Sequence, residues 1–132
     1  MPHTEFYNED GSLAGRMDGL MAPEDAPHAG DYTVKYVVSV EDVRAEAARR
    51  MMLVLRARDS DHMDIILSNG LRETARYQQI LIDGGTLDAT QATGKAMLEG
   101  ADAAIEAIRT ASNVLEAYTE IPTDYAKDGN WT

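Results

Sequence analysis

Thr93-Gly94-Lys95 has the ending of a phosphate-binding loop, in which glycines let backbone amides approach the phosphates and a following Ser or Thr hydroxyl holds magnesium. Ala89 stands where the first glycine belongs and Ala96 where the hydroxyl belongs, so the stretch reads as helix surface. Asp59-Ser60-Asp61-His62-Met63-Asp64 spaces its carboxylates like the start of a calcium loop. Its fifth position is Met63, its sixth is Asp64 instead of glycine and its twelfth is Gly70 instead of glutamate, and helix capping accounts for these acids better. His3, His28 and His62 are scattered, with no His or Glu at metal-ligating spacing on a shared helix face. There is no Gly-x-Ser-x-Gly turn, and no cysteine to serve as nucleophile, thiolate ligand or disulfide partner. Asn130-Trp131-Thr132 matches a glycosylation acceptor by chance, because the start Met1-Pro2-His3-Thr4-Glu5 lacks the basic and apolar regions of a secretory signal. These residues predict no enzymatic activity, no cofactor and no metal.

The 132 residues fit one domain, and the formal net charge of −11 comes from 23 acidic against 12 basic residues. Such a balance argues against nucleic-acid partners, whose phosphates are neutralised by Lys and Arg, and against an anionic membrane surface. No apolar run approaches the roughly 18 residues that span a bilayer.

The elements that must position any functional residue are concentrated between Val40 and Tyr118. Residues 1–30 are polar and punctuated by Gly15, Gly19, Pro23, Pro27 and Gly30, which predicts an extended interaction arm ordered by contacts outside itself. A small hairpin is readable around Asn8-Glu9-Asp10-Gly11, with an unstructured linker from Gly15 onward. Asp31 to Val38 is the one clear β-type run, alternating Tyr32, Val34 and Tyr36 against Thr33 and Lys35. Its pairing partner is the N-terminal hairpin, another copy or a different protein; an extended lead-in packed on helices is the plainer alternative.

Ser39 with Asp42 three positions on predicts an N-cap for a helix to Arg58, with Val40, Val43, Ala47, Met51, Val54 and Leu55 on its buried stripe. Asp59-Ser60-Asp61 breaks that helix and caps a second whose apolar face is Met63, Ile66, Leu67, Leu71 and Tyr77, ended by Asp83-Gly84-Gly85, with Gln79 to Ile82 as an alternative extended lead-out. Asp88 with Gln91 caps a third, expected to run to about Thr119. Along it Leu98, Ala101, Ile105, Ile108, Ser112 and Leu115 form a heptad seam. Pro122 then ends helix, and Tyr125 and Trp131 are aromatic anchors in a polar tail. Trp131 fits either the protein's own core or a pocket on a neighbour. The predicted fold class is mainly α: a helical hairpin or three-helix unit with a long C-terminal helix, preceded by an extended N-terminal arm and one short strand. The expected division is an arm over 1–30, a helical domain with leading strand over 31–120, and an anchor tail over 121–132.

Tyr32-Thr33-Val34-Lys35-Tyr36-Val37-Val38-Ser39 before a capped Ala/Arg helix, then Ala111-Ser112-Asn113-Val114-Leu115-Glu116, Ile121-Pro122-Thr123-Asp124-Tyr125-Ala126 and a near-terminal Trp131, resembles small proteins encoded in the tail modules of bacteriophages and related gene-transfer particles. The resemblance covers roughly the last three-quarters of the chain; the N-terminal arm has no counterpart in it. It implies a virion structural role at the distal tail or a fibre attachment, after assembly in the host cytoplasm. The implied partners are the protein itself, as a homo-oligomer, and other tail proteins. Tyr32, Val34, Tyr36, Val38, Tyr125 and Trp131 are the candidate partner-binding residues. A non-virion assembly factor, or an acidic regulator such as an antitoxin or DNA mimic, fits the composition as an alternative.

Overall fold

The computed structural model describes residues 1–21 and 33–132. The chain gathers into two compact units, one made of residues 1–46 with 111–132 and the other of residues 47–110. Both boundaries fall inside helices. The fold is mainly α, with three helices, α1 (Val40–Leu55), α2 (Ser60–Ile82) and α3 (Ala89–Glu116), of which the C-terminal one is the longest.

Instead of one short strand behind an extended arm, the first unit holds a three-stranded antiparallel sheet. Strands β1 (His3–Tyr7), β2 (Leu13–Asp18) and β3 (Thr33–Val37) lie in the order β2-β1-β3. The turn expected at Asn8 to Gly11 joins the first two. Asn8 N donates to Ser12 O at 2.8 Å, Gly11 takes φ +85° where a side chain is strained, and Asp10 Oδ1 accepts from Ser12 N at 2.9 Å. Gly15 to Asp18, expected to be linker, are therefore strand; residues 22–30 and Tyr32 lie outside the described residues. The physical reason is that β1 is paired along both edges, so its order comes from backbone hydrogen bonds that apolar composition does not register. Register adds to this, because Glu5 stands opposite Arg16 on one side and Lys35 on the other, and opposite-charge cross-strand pairs favour that alignment.

Each helix begins on a side-chain cap read from its first residues. Ser39 and Asp42 form a reciprocal box: Asp42 N donates to Ser39 Oγ at 3.3 Å and Ser39 N to Asp42 Oδ2 at 2.8 Å. Asp59 accepts from His62 N at 2.7 Å, while Arg58 N donates to His62 Nδ1 at 3.0 Å. Asp88 and Gln91 repeat the reciprocal box, at 2.8 and 3.1 Å. α1 stops three residues short of Arg58, because Arg56 turns left-handed at φ +53° and Ala57 N closes onto Met52 O. α2 stays helical through Ile82, with no extended lead-out. It is closed by Gly84 at φ +82° and by bonds from Asp83, Gly84 and Gly85 to the Gln79, Leu81 and Ile80 carbonyls. α3 ends at Glu116, three residues before the expected Thr119.

In residues 1–46 with 111–132 the core is Val43, Thr4, Asp42, Ser112, Leu115 and Trp131, and in residues 47–110 it is Ala47, Tyr77, Ile105 and Ile108. α2 and α3 touch at two glycines, of which only Gly94 lacks room for a side chain. A Cβ on Gly94 would lie 2.8 Å from Tyr77 Oη, and one on Gly70 would lie 3.5 Å from Leu98 Cδ2. Leu71 corrects the expected apolar face of α2: it is 74% exposed. Six residues separate it from Tyr77, and at about 100° per residue the two point about 120° apart.

Ile108→Ala is expected to destabilise the fold by about 2–5 kcal/mol in denaturant unfolding. Gly94→Ala should also destabilise, against the helix propensity that favours Ala by about 1 kcal/mol, and pairing it with Tyr77→Phe should recover most of the loss. If Gly94→Ala alone raised stability, the Tyr77 contact would not be what requires the glycine.

Candidate functional site

The candidate partner-binding residues divide between β3 and the C-terminal tail of the first unit. Val34 and Tyr36 occupy the half-buried side of β3, opposite Phe6 and Thr4 of β1, while Thr33 and Lys35 are exposed. The strand is thus paired with its own N-terminal hairpin on one edge. Val38 is half-buried between β3 and α1. Tyr36 Oη is buried with no hydrogen-bond partner, which leaves a polar group whose cost is about 1–3 kcal/mol when unpaired. Tyr32 lies outside the described residues.

Trp131 is 5% exposed, so it serves its own unit's core. Its Nε1 donates to the Tyr125 carbonyl at 2.7 Å, and Asn130 Nδ2 donates to the Asp124 carbonyl, also at 2.7 Å. Those bonds curl the tail after Pro122 into a closed loop ending in the 3-10 turn Asp128–Asn130. The tail thereby brings half-buried Tyr125 into the field of α1. Burial first, then the negative charges of Asp42 and Glu46, raise the Tyr125 phenol above its ordinary range.

Asp42 is the centre of this arrangement, and only its capping role was visible in its spacing from Ser39. It is 4% exposed, accepts from Ser39 N and from Ser39 Oγ at 3.0 Å, and lies 2.7 Å from the Met1 α-ammonium. Burial by itself pushes the carboxyl up, but the ammonium, the two Ser39 donors and the ammonium's charge outweigh it and hold the group below its ordinary value. Thr4, fully buried, plays a matching part on β1, donating to Gly19 O at 2.8 Å and accepting from Met21 N at 3.1 Å. No sequence signal distinguishes that threonine, because its partners lie fifteen and seventeen residues away. On α1 and α3, Arg44 Nε pairs with Glu116 Oε1, and Ser112 Oγ donates to Glu116 Oε2 at 3.3 Å.

Chemically, this is a set of links between chain segments. The Asp42 carboxylate and the Thr4 hydroxyl are engaged with backbone, cap and terminus, and His62 is engaged at the α2 cap. His3 Nε2 lies 3.6 Å from Glu5 Oε2 on the face of β1 opposite Thr4. Among the described residues no cluster of three or more His, Cys, Asp or Glu side chains is placed to hold a metal ion, and no helix is long and apolar enough to cross a membrane.

Asp42 and Tyr125 set opposite pH limits on stability. Asp42, lowered in the folded protein, contributes stability that is present above the unfolded value of about 3.9 and lost as pH falls through the folded value. Tyr125, raised, contributes stability that is present below about 10 and lost as pH rises through the folded value. Melting temperature against pH should therefore fall at both ends, with Asp42→Asn flattening the acid limb and Tyr125→Phe the alkaline one. Tyr36→Phe should raise the melting temperature at neutral pH by removing the unpaired hydroxyl; a fall would show that the hydroxyl is bonded. Comparison with known protein families, characterised proteins and solved structures finds no match to this chain.

Proposed function

We propose that this protein is a non-catalytic structural component of a bacteriophage particle, placed in the tail at a fibre attachment or the distal end. In this role it assembles with copies of itself and with other tail proteins. The observation that carries the proposal is convergence. The stretches that resemble phage tail-module proteins, Thr33 to Ser39, Ala111 to Glu116, Ile121 to Ala126 and Trp131, are far apart in sequence yet fall in one compact unit. In that unit the buried polar groups Asp42 and Thr4 join chain segments to one another, which suits a building block.

A second reading is favoured by charge. Residues 1–46 with 111–132 carry 14 acidic against 4 basic side chains, a surface that an acidic regulator would turn toward one basic target. Peptide mass spectrometry of purified particles separates these readings. A virion component is expected at fixed stoichiometry in the particles. Detection in lysates alone would make it an assembly factor, and recovery with a single cellular protein would make it a regulator.

A further inference from the structure

Asp10-Gly11, Asp18-Gly19, Asn69-Gly70, Asp83-Gly84 and Asp128-Gly129 each hold the parts of one reaction. The glycine backbone nitrogen, with no side chain beside it, attacks the side-chain carbonyl carbon of the residue before it and closes a five-membered succinimide. For that the amide must give up its proton and the local backbone must turn, which a permissive glycine allows. A hydrogen bond from the same N–H to a carbonyl holds both in check.

The fold separates these five steps, which composition leaves alike. Gly11 N donates to Asn8 O at 2.9 Å, Gly19 N to Pro2 O at 2.7 Å and Gly84 N to Leu81 O at 3.1 Å. Asn69-Gly70 lies inside α2, where the Gly70 amide belongs to the helical ladder. Among the described residues, Gly129 N is the one glycine amide of the five without a hydrogen bond, while Asn130 N and Trp131 N beside it donate to Lys127 O and Asp128 O. Asp10 is held back a second time. Ser12 Oγ and then Ser12 N keep its carboxyl below the ordinary value, away from the protonated form whose hydroxyl can leave.

Asp128-Gly129 also sits in the shortest element of the chain, the exposed 3-10 turn Asp128–Asn130. Two bonds close that turn, Asn130 N to Lys127 O at 3.0 Å and Trp131 N to Asp128 O at 2.9 Å, and so short a turn opens without the rest of its unit unfolding. We propose that Asp128-Gly129 is a self-modification site, where the chain isomerises to isoaspartate and thereby releases Trp131 from the core of its own unit. In the first step Gly129 N bonds to Asp128 Cγ, and the carboxyl hydroxyl leaves with the amide proton as water. In the second, water adds at the Asp128 backbone carbonyl carbon and the bond from that carbon to Gly129 N breaks, which leaves the main chain running through Cγ. Addition at Cγ instead restores aspartate. Water is the only co-reactant. The product has one more methylene in its main chain, and the carbonyl that accepts from Trp131 N has become a carboxylate off the chain. Trp131, 5% exposed, thereby loses the turn that seats it. This chemistry belongs to the chain itself and does not rest on the assembly role.

Ageing the purified full-length protein at neutral pH, with peptide mapping for isoaspartate and tryptophan emission followed together, provides the test. Isoaspartate should accumulate at Asp128 at least about fivefold faster than at Asp10, Asp18 or Asp83, the factor that one net amide hydrogen bond is worth. Emission should shift to the red in step, and Trp131 is the only tryptophan that can report it. Gly129→Ala suits the fold, because Gly129 is not left-handed and a Cβ there would meet nothing within 4 Å. It should melt like the unaltered chain while its methyl crowds the nitrogen and slows both signals. Asp128→Glu, which keeps the charge but would need a six-membered ring, should suppress them. In denaturant the four Asp-Gly steps should react at similar rates, which would show that the fold makes the difference. Isoaspartate appearing first at Asp10, Asp18, Asp83 or Asn69 of the folded protein would overturn the proposal. So would a folded chain that forms none at Asp128 while the denatured chain does, or isoaspartate at Asp128 with unchanged tryptophan emission.

Discussion

The first unit depends on one buried carboxylate. Asp42 closes the capping box of α1, receives the α-ammonium of Met1 ahead of β1 and lends its charge to the surroundings of Tyr125 in the tail. An ionised group at 4% exposure persists only because its hydrogen bonds and its counter-ion outweigh the loss of water. Removing one partner from such a group costs more than the pair itself contributes, since the charge that remains is buried and uncompensated. The residue ahead of β1, the start of α1 and the surroundings of Tyr125 thereby share one charged side chain.

In residues 47–110 the governing constraint is the distance between α2 and α3. Gly94 lets the Tyr77 ring lie against the α3 backbone, and Gly70 admits Leu98 from the opposite direction. A methyl at Gly94 would displace that ring, whereas one at Gly70 would sit in ordinary contact with Leu98.

Charge divides as the structure does. The acidic excess is carried almost entirely by residues 1–46 with 111–132, leaving residues 47–110 close to neutral. Net charge says little about fold and much about association.

The helices, their caps and the buried stripe of α3 were determined by sequence, because these are local properties. Ser39 with Asp42, Asp59 and Asp88 with Gln91 start helices through contacts of three residues, and Ile105, Ile108, Ser112 and Leu115 share a face through the helical period alone. Tertiary structure decided whatever rests on partners distant in the chain. Thr4 is buried because Gly19 and Met21 return to it, and residues 3–18 are ordered because β1 pairs with both β2 and β3. Likewise, Leu71 is exposed because α2 turns Tyr77 and Gly70 toward α3 instead. Composition marked the N-terminal segment as too polar to order itself, and for its side chains that is sound physics. Strand pairing satisfies backbone amides and carbonyls whatever the side chains are, and that contribution exists only once the strands have met.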